Sequence, residues 1–256
     1  MIPAKLDFAW RTHRGQVRPR NEDAVAVYPD QGIVVIADGI GGASAGDVAS
    51  QLATEIISDR FLRQAPSRSD ARRAVLMAGA AMEEANSAIF ERARREPALS
   101  GMGTTVVVGY VGATWLAYGH VGDSRLYLLR GGELHQLTSD HSFIQEVVDQ
   151  GFFPSRAEAR HYGINENVLT RAVGSTAHVA ASTDVIDLAP GDLFLFCTDG
   201  LSGMVPHADL CHLLAAARGN LGTVADALVH LACEAGGIDN ITLVLMRVRS
   251  LGETAD

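Results

Sequence analysis

Hydrophobic and polar residues alternate with two different periods along the first third of the chain. Two apolar runs, at residues 24–28 and 32–38, predict strands. From about residue 43 to about residue 63 the apolar positions follow the period of a helix instead. A second long helix is expected to begin after Ser69, as its N-cap, and to end before Pro97. A half-buried first strand is predicted by apolar residues at every second position: Leu6, Phe8 and Trp10.

The middle third is a series of β-rich runs over short connections, so we expect neighbouring strands to be antiparallel. These runs lie at residues 103–111, 114–121, 124–130 and 133–137, the last two joined by a hairpin turn at Gly131-Gly132. Next come a short helix at 141–151 and a capping box at 155–158. Residues 151–168, called the flap below, have the least regular pattern and predict a mobile segment.

The last third returns to strands and ends with two more helices. Strands are predicted at residues 178–188, 192–200 and 240–248, and helices near 206–217 and 222–235. Since the helices come as two pairs around a central run of strands, we predict an α+β fold. It is a four-layer α-β-β-α sandwich, with two antiparallel sheets packed together and helices on both outer faces. One domain is expected over residues 1–250, with a frayed tail at 251–256.

Composition narrows the class of protein. The 30 acidic and 21 basic residues give a net charge of −9, which argues against binding to nucleic acid. The three cysteines have neither paired nor zinc-binding spacing, so a reducing cytoplasm is the expected location. No apolar leader and no run of about 18 apolar residues is present in the sequence, so no membrane association is expected.

Acidic residues recur at the predicted strand ends, usually beside a glycine. These are Asp23 with its neighbour Glu22, Asp38, Asp123, Asp199 and Asp239. Taken singly, each is more simply interpreted as a turn residue, because Asp-Gly and Gly-Asp are common in turns. Taken together, they would converge if their strand ends meet at one edge of the sandwich. Such a cluster of carboxylates repels itself and needs cations to stabilise it.

The types of these residues indicate the cations and the reaction. Oxygen ligands without cysteine or histidine select Mg²⁺ or Mn²⁺. The backbone carbonyl of Gly39 is a further candidate ligand. Two such ions close together are a common device for cleaving phosphate esters. Arg18 and Arg20 are candidates for the phosphate oxygens, because a guanidinium matches them as a fork. The alternative for either arginine is an ordinary solvated surface position.

Eight motifs make the chain similar to a known family. They are RPRNED (18–23), ADGIGG (37–42), GTTVV (103–107), GHVGDSRLYLLR (119–130), LTSDHS (137–142), NVLTRAVG (167–174), FCTDGLS (196–202) and DNITLV (239–244). As a set, in this order and over about residues 6–248, they resemble the PP2C-type (PPM family) metal-dependent protein serine/threonine phosphatases, and most closely their bacterial branch. The α-β-β-α sandwich of that family agrees with the fold predicted above.

The resemblance implies a centre of two Mn²⁺ or Mg²⁺ ions and assigns the ligands. Asp38 is expected to bridge the two ions, with the Gly39 carbonyl on one of them and Asp199 and Asp239 completing the other. A second group is implied to act less directly. It consists of Asp23 and Glu22 through metal-bound water, Asp123 with Asp199 at a third, weaker metal site, and Arg18 on the substrate phosphate. The flap corresponds to the family's variable segment, which helps to set substrate choice.

The implied reaction is direct hydrolysis of phosphoserine or phosphothreonine in proteins. A metal-bridging hydroxide attacks phosphorus, and no phospho-enzyme intermediate forms. Phosphorylated proteins are the expected substrates, a Hanks-type serine/threonine kinase the expected functional partner, and a monomer the expected state. Cys197 is expected to be a core residue rather than a participant.

Two positions depart from the family pattern. Some members carry histidine where this chain has Ile40, so no side chain can be named as general acid; a metal-bound water is one alternative and His161 in the flap another. Asp47 stands where relatives often have glutamate, a change expected to be harmless. Two other functions stay open: a docking module that has lost activity, and a hydrolase of small phosphate esters.

Overall fold

The computed structural model describes residues 4–41, 45–217 and 219–252. The strands are β1 Lys5–His13, β2 Asp23–Tyr28, β3 Ile33–Ile40, β4 Gly103–Thr104, β5 Val106–Val111, β6 Trp115–Val121, β7 Arg125–Arg130, β8 Glu133–Gln136, β9 Ser182–Asp187, β10 Leu193–Cys197 and β11 Ile241–Ser250. The helices are α1 Ala45–Gln64, α2 Ala71–Arg95, α3 Phe143–Asp149, α4 Arg156–His161, α5 Asp199–Ser202, α6 His207–Ala215 and α7 Leu221–Glu234. The order and types of the predicted elements are confirmed with one correction: the strand predicted at 192–200 ends at Cys197, and Asp199–Ser202 form the short helix α5.

The strands form two antiparallel sheets. One sheet has the order β1-β11-β10-β7-β8, and the other has the order β2-β3-β5-β6-β9, with the short β4 paired to the end of β3. Every strand pairing given for these sheets is antiparallel. The register of β2 on β3 places Asp23 directly opposite Asp38. The two carboxylates are therefore neighbours because of strand pairing.

Three apolar clusters define the layers. Between the sheets, Phe194, Phe196 and Met246 of one sheet pack against Val34 and Ile36 of the other. The second cluster joins α1 and α2 to the β2–β9 sheet. The third joins α6 and α7 to the β1–β8 sheet and includes the fully buried Cys197. Along each strand, alternate residues pack between the two sheets and against the outer helices, as a period of two predicts. The predicted four-layer α-β-β-α sandwich is confirmed.

Local signals set most of the boundaries, with one correction. Helix α2 is capped by Asp70 rather than by the predicted Ser69, because the Asp70 carboxylate accepts a hydrogen bond from the Arg73 amide at 2.9 Å. The hydroxyl of Ser69 is instead paired with that of Ser67 at 2.9 Å. The capping box is confirmed, since Ser155 accepts from the Glu158 amide at 3.2 Å.

The remaining boundary predictions fall partly outside the described ranges. Helix α1 was expected from about residue 43 and begins at Ala45; residues 42–44 are not described, and neither are 253–256 of the expected frayed tail. The hairpin at Gly131-Gly132 is confirmed, with φ of +63° and +89°. Within the described part of the chain, no helix is both long and apolar enough to cross a membrane.

Candidate metal centre

Strand β3 presents Asp38 to the centre through a network of backbone contacts. The Asp38 amide donates to the Thr105 hydroxyl at 3.1 Å, and its carbonyl accepts from the Thr105 amide at 2.9 Å and from the Thr104 hydroxyl at 2.8 Å. Opposite it, Asp23 accepts through Oδ2 from the Thr198 hydroxyl at 3.0 Å. Both carboxylates are thus held on the rigid edge of the sheets.

The loop before β11 brings Asp239 close to Asp199. Asp199 is the first residue of α5, directly after β10. A Cβ built on Gly200 would lie 1.9 Å from the Asn240 carbonyl oxygen, so only glycine lets α5 approach this loop so closely. On the other side, Gly15 has φ +79°, and a Cβ there would lie 2.1 Å from the Asp239 carbonyl oxygen. Two glycines therefore allow the close packing that positions these aspartates.

Six of the predicted acidic and glycine positions, together with Arg18, line one cavity of about 480 Å³. They are Glu22, Asp38, Gly39, Asp123, Asp199 and Asp239. Asp23 is not part of the lining; it lies beside Asp38 on the neighbouring strand and is half-buried. The strand-end carboxylates therefore converge, as the sequence predicts, although Asp38 lies within β3 and Asp199 opens a helix.

Burial and mutual repulsion raise the pKa of three carboxyl groups at the centre. Burial raises the pKa of Asp38 well above its ordinary value, and the charges of Asp23, Asp199 and Asp239 add to the effect. Burial likewise raises the pKa of Asp23 to about 7, against the hydrogen bonds from Thr198 and Thr242. The pKa of Asp199 is also raised, by burial and then by Asp239. Such a cluster is strongly favourable for bound cations, since a cation removes the repulsion.

Asp123 and Glu22 have the same electrostatic character at the edge of the cavity. Burial, together with the charges of Asp199 and Asp140 and against that of Arg125, raises the pKa of Asp123 to about 7. The pKa of Glu22 is raised by burial and by the neighbouring Asp47. The centre therefore extends beyond its inner aspartates.

Three observations show that the oxygen donors of the cavity fit a divalent metal ion. Asp23 Oδ1 and Asp199 Oδ1 are buried without a hydrogen-bond partner in the described structure, so each has a free oxygen for a ligand. A Cβ on Gly39 would lie 2.1 Å from the Gly46 carbonyl oxygen, so this backbone can sit at the centre only as glycine. The titratable donors lining the cavity are all carboxylates, which suits hard ions.

The carboxylates do not form a complete coordination sphere by themselves. Among the residues that the structure describes, no three acidic, histidine or cysteine side chains are gathered as a ready-made metal cluster. Mg²⁺ keeps several waters and is usually held by one or two carboxylates, so this arrangement suits it and a Mn²⁺ ion of similar preference. The residues present therefore fit hydrated divalent ions.

The two candidate arginines have different positions. Arg18 lines the cavity and donates from Nη2 to Asp239 Oδ2 at 2.7 Å. The exposed Arg20 is not among the lining residues; its backbone carbonyl accepts from Asn240 Nδ2 at 2.8 Å. The geometry therefore favours Arg18 over Arg20 as the cationic group of the cavity.

Neither Ile40 nor His161 is placed to act as a general acid in the cavity. Ile40, which lines the cavity, is 38% exposed and carries no proton to donate. His161 lies at the end of α4 with its ring edge against Tyr162, at 5.5 Å between ring centroids, and does not line the cavity. Asp47 binds the Val48 amide at 2.7 Å.

Asn240 is a positioning residue that sequence reasoning missed. Its Nδ2 donates to the Arg14 and Arg20 carbonyls, each at 2.8 Å, and its Oδ1 accepts from the Glu22 amide at 2.7 Å. Through these bonds Asn240 holds the segment of residues 14–20 and Glu22 next to Asp239. In the sequence Asn240 appears only as a member of the motif DNITLV (239–244), without a role of its own.

Thr105 and Ser124 form a second missed pair. Their hydroxyl groups are 2.6 Å apart and buried, and they join the residue that binds the Asp38 amide to the neighbour of Asp123. In the sequence the two residues appear only as members of the motifs GTTVV (103–107) and GHVGDSRLYLLR (119–130). Buried hydroxyl pairs leave no periodic signal in a sequence.

The chain is similar to proteins of known family. The family model for protein phosphatase 2C matches residues 11–230. A serine/threonine phosphatase, stp, from Listeria innocua is 37% identical over 240 residues, covering 93% of this chain and 94% of the relative. PstP from Mycobacterium tuberculosis is 38% identical over 244 residues, which is 95% of this chain and 45% of PstP.

Solved structures give the same result. The structure of the M. tuberculosis serine/threonine phosphatase PstP superposes with a TM-score of 0.85 at 34% identity, covering 95% of this chain and 99% of that one. A structure of the PstP catalytic domain with two manganese ions gives a TM-score of 0.83 at 35% identity, covering 96% and 99%. The chain belongs to the protein phosphatase 2C family. The resemblance to its bacterial serine/threonine phosphatases is confirmed.

Proposed function

We propose that this chain hydrolyses phosphoserine and phosphothreonine in proteins, using two Mn²⁺ or Mg²⁺ ions. The observation that carries the proposal is the convergence of Asp38, Asp199 and Asp239 on one cavity with Arg18 beside them. Acidic groups that raise one another's pKa need cations, and a guanidinium next to them provides for the phosphate dianion.

Each residue of the centre has a proposed role. Asp38 would be shared by both ions, the Gly39 carbonyl would bind one of them, and Asp199 with Asp239 would bind the other. When bound, the ions would lower the pKa of water and neutralise charge on the phosphoryl oxygens. The outer residues would act around them. Glu22 and Asp23 would hold coordinated water, and Asp123 with Asp199 would form a third, weaker site.

The side chains of this protein position the phosphate rather than react with it. Arg18 is half-exposed and its Nη2 is already directed at the centre by Asp239, so a phosphate oxygen can be bound there without a large movement. No cysteine, serine or histidine occurs among the described residues that line the cavity. This supports direct attack of water on phosphorus. With Ile40 where an acid would stand, the leaving oxygen is expected to take its proton from water.

Protein substrates are favoured by the named relatives, which are serine/threonine phosphatases. Among the described residues the acidic set is complete, which argues against a docking module that has lost activity. The proposed functional partner is a Hanks-type serine/threonine kinase that phosphorylates the same substrates, and the proposed location is the cytoplasm.

The test is phosphate release from a phosphothreonine peptide, measured with Mn²⁺, with Mg²⁺ and with chelator. An aryl phosphate and a sugar phosphate of similar charge serve as small-ester comparisons. We expect metal-dependent turnover with a higher kcat/KM for the peptide. A preference for the sugar phosphate would favour a small-ester hydrolase, and no turnover of any substrate with either metal would reject the enzyme.

A further inference from the structure

The described flap is joined to the rest of the molecule by backbone hydrogen bonds at both ends, by packing of the buried Ala159, and by one polar side-chain contact. Arg156, the first residue of α4, forms an ion pair through Nη1 with Oδ2 of Asp140. In the described ranges, no other flap side chain makes a hydrogen bond or ion pair outside residues 151–168. The other ion pair of the flap, Arg160 with Glu166 at 3.1 Å, is internal to it.

The buried carboxylate of Asp140 accepts four hydrogen bonds. Its side chain is fully buried and accepts from Arg125 Nε at 2.9 Å, Arg125 Nη2 at 2.7 Å and Gln136 Nε2 at 3.1 Å, in addition to Arg156. Burial opposes its ionisation, but the bonds and charges of Arg125 and Arg156 outweigh burial and lower its pKa. The carboxylate is thus an anion with every acceptor position used, and it keeps Arg125 if Arg156 is removed.

Asp140 and its partner Arg125 act electrostatically on Asp123 at the edge of the metal centre. Arg125 lies two residues after Asp123, and its positive charge lowers the pKa of both Asp123 and Asp199. Next to Asp140, the His141 amide donates to the Gly122 carbonyl at 2.9 Å, and His141 Nδ1 accepts from the Gly122 amide at 3.1 Å. The flap and the loop that carries Asp123 are therefore held by two adjacent residues, Asp140 and His141.

The flap also helps to form two neighbouring cavities. Its residue Asn167 lines the main cavity together with Asp123 and Asp199. The same three residues line a second cavity of about 410 Å³, where Arg156 forms part of the wall. A shift of the flap would therefore change the space on both sides of the acidic centre, although the aspartates themselves stay on the sheets.

We propose that Arg156 is a positioning residue for protein substrates, which fixes the flap beside the metal centre through its ion pair with buried Asp140. This inference rests on the proposed phosphatase function. A small aryl phosphate fits within the main cavity and needs only the centre and Arg18. A phosphopeptide continues past the phosphorylated residue and must contact the walls, so its binding depends on where the flap lies.

The test compares Arg156→Met, Arg156→Lys and the control Arg92→Met, which removes an exposed ion pair with Glu96 at the end of α2. In Arg156→Met, kcat/KM for a phosphothreonine peptide should fall about tenfold, mainly through KM, with less than about a twofold change for an aryl phosphate. Chymotrypsin should cleave faster after the flap aromatic residues Phe152, Phe153 and Tyr162. Arg156→Lys should restore both properties, because only one nitrogen of Arg156 contacts Asp140. Arg92→Met should match the wild type in both.

Two results would overturn the proposal. One is wild-type cleavage and wild-type peptide KM in Arg156→Met. The other is an equal loss of activity on both substrates with a lowered Tm, which would mean a general role in stability. The cleavage rate needs no turnover, so it tests the anchor even if the wild-type protein shows no phosphatase activity.

Discussion

Arg18 and Asp239 form an ion pair of 2.7 Å at the mouth of the acidic cavity, 221 positions apart in the chain. Both side chains are partly exposed, at 51% and 29%, so the pair contributes less than about 1 kcal/mol to stability. Its importance is positional, because a guanidinium held there faces any phosphate that enters the centre.

Replacing Arg18 should therefore weaken phosphate binding with little change in stability. For Arg18→Ala we expect KM for a phosphothreonine peptide and the inhibition constant for inorganic phosphate to rise about tenfold, which is the loss of one charge-assisted contact. Arg20→Ala is the matched control and should leave both constants close to wild type. Steady-state kinetics with phosphate as inhibitor makes the measurement. If only Arg20→Ala raised them, the two arginines would have to exchange roles.

Asp199→Asn and Asp239→Asn should separate stability from activity. We expect turnover to fall by at least about two orders of magnitude, because a ligand charge is lost from the centre. The metal-free Asp199→Asn protein should unfold at the same denaturant concentration as wild type or a higher one, since the substitution removes repulsion at a buried carboxylate. Full activity in either variant would mean that the ligand assignment is wrong.

Gly39→Ala tests the backbone ligand. The added Cβ would lie 2.1 Å from the Gly46 carbonyl oxygen and 2.6 Å from that of Glu22, so the end of β3 must shift. We predict weaker Mn²⁺ binding by calorimetry and a loss of at least about 1 kcal/mol of unfolding free energy. Gly79→Ala in α2 is the control: its Cβ meets only Thr183 at 3.7 Å, so the helix should gain about 0.5–1 kcal/mol. Unchanged metal affinity in Gly39→Ala would exclude a ligand role for this backbone.

The buried His141 should make the folded protein sensitive to acid. Burial, together with the charges of His120 and Arg171 and against that of Asp140, lowers the pKa of His141 to about 3 from an ordinary value of 6.5. The unfolded chain therefore takes up the proton first. This group stabilises the folded state fully above pH 6.5, and the stabilisation is lost as pH falls toward 3.

In numbers, the loss amounts to about 1.4 kcal/mol per pH unit below 6.5. His141→Asn keeps an acceptor for the Gly122 amide and removes the titration. Urea unfolding at pH 7.5, 6.0 and 5.0 should show the stability of wild type and variant converging by about 2 kcal/mol between pH 6.5 and 5. Parallel curves would show that His141 is not the titrating group.

Local patterning was sufficient for most of the fold. Apolar periods gave the strands and helices, because each strand buries alternate residues and each outer helix buries one stripe. The convergence of Asp38, Asp199 and Asp239 could be predicted too, since acids at the ends of neighbouring strands meet at one edge of a sandwich. Their roles as ligands stay predictions.

Long-range side-chain partners could not be predicted in this way. Asn240 binds backbone groups more than 200 positions away, and nothing near it in the chain encodes those partners. The partners of Asp140 are nearer in the chain, since Arg125 and Arg156 lie 15 and 16 positions away, but no periodic pattern indicates that one buried carboxylate binds both. The choice of Asp70 over Ser69 as N-cap was a local competition that the pattern alone does not resolve.

The central claim is that Asp38 joins two metal ions in a phosphatase centre. Its most direct test is the number of Mn²⁺ ions bound per chain, measured by calorimetry on wild type and Asp38→Asn, beside phosphate release from the same samples. We predict two tightly bound ions and turnover in wild type, with both ions and turnover lost together in Asp38→Asn. Two bound ions and undiminished phosphate release in Asp38→Asn would contradict the account.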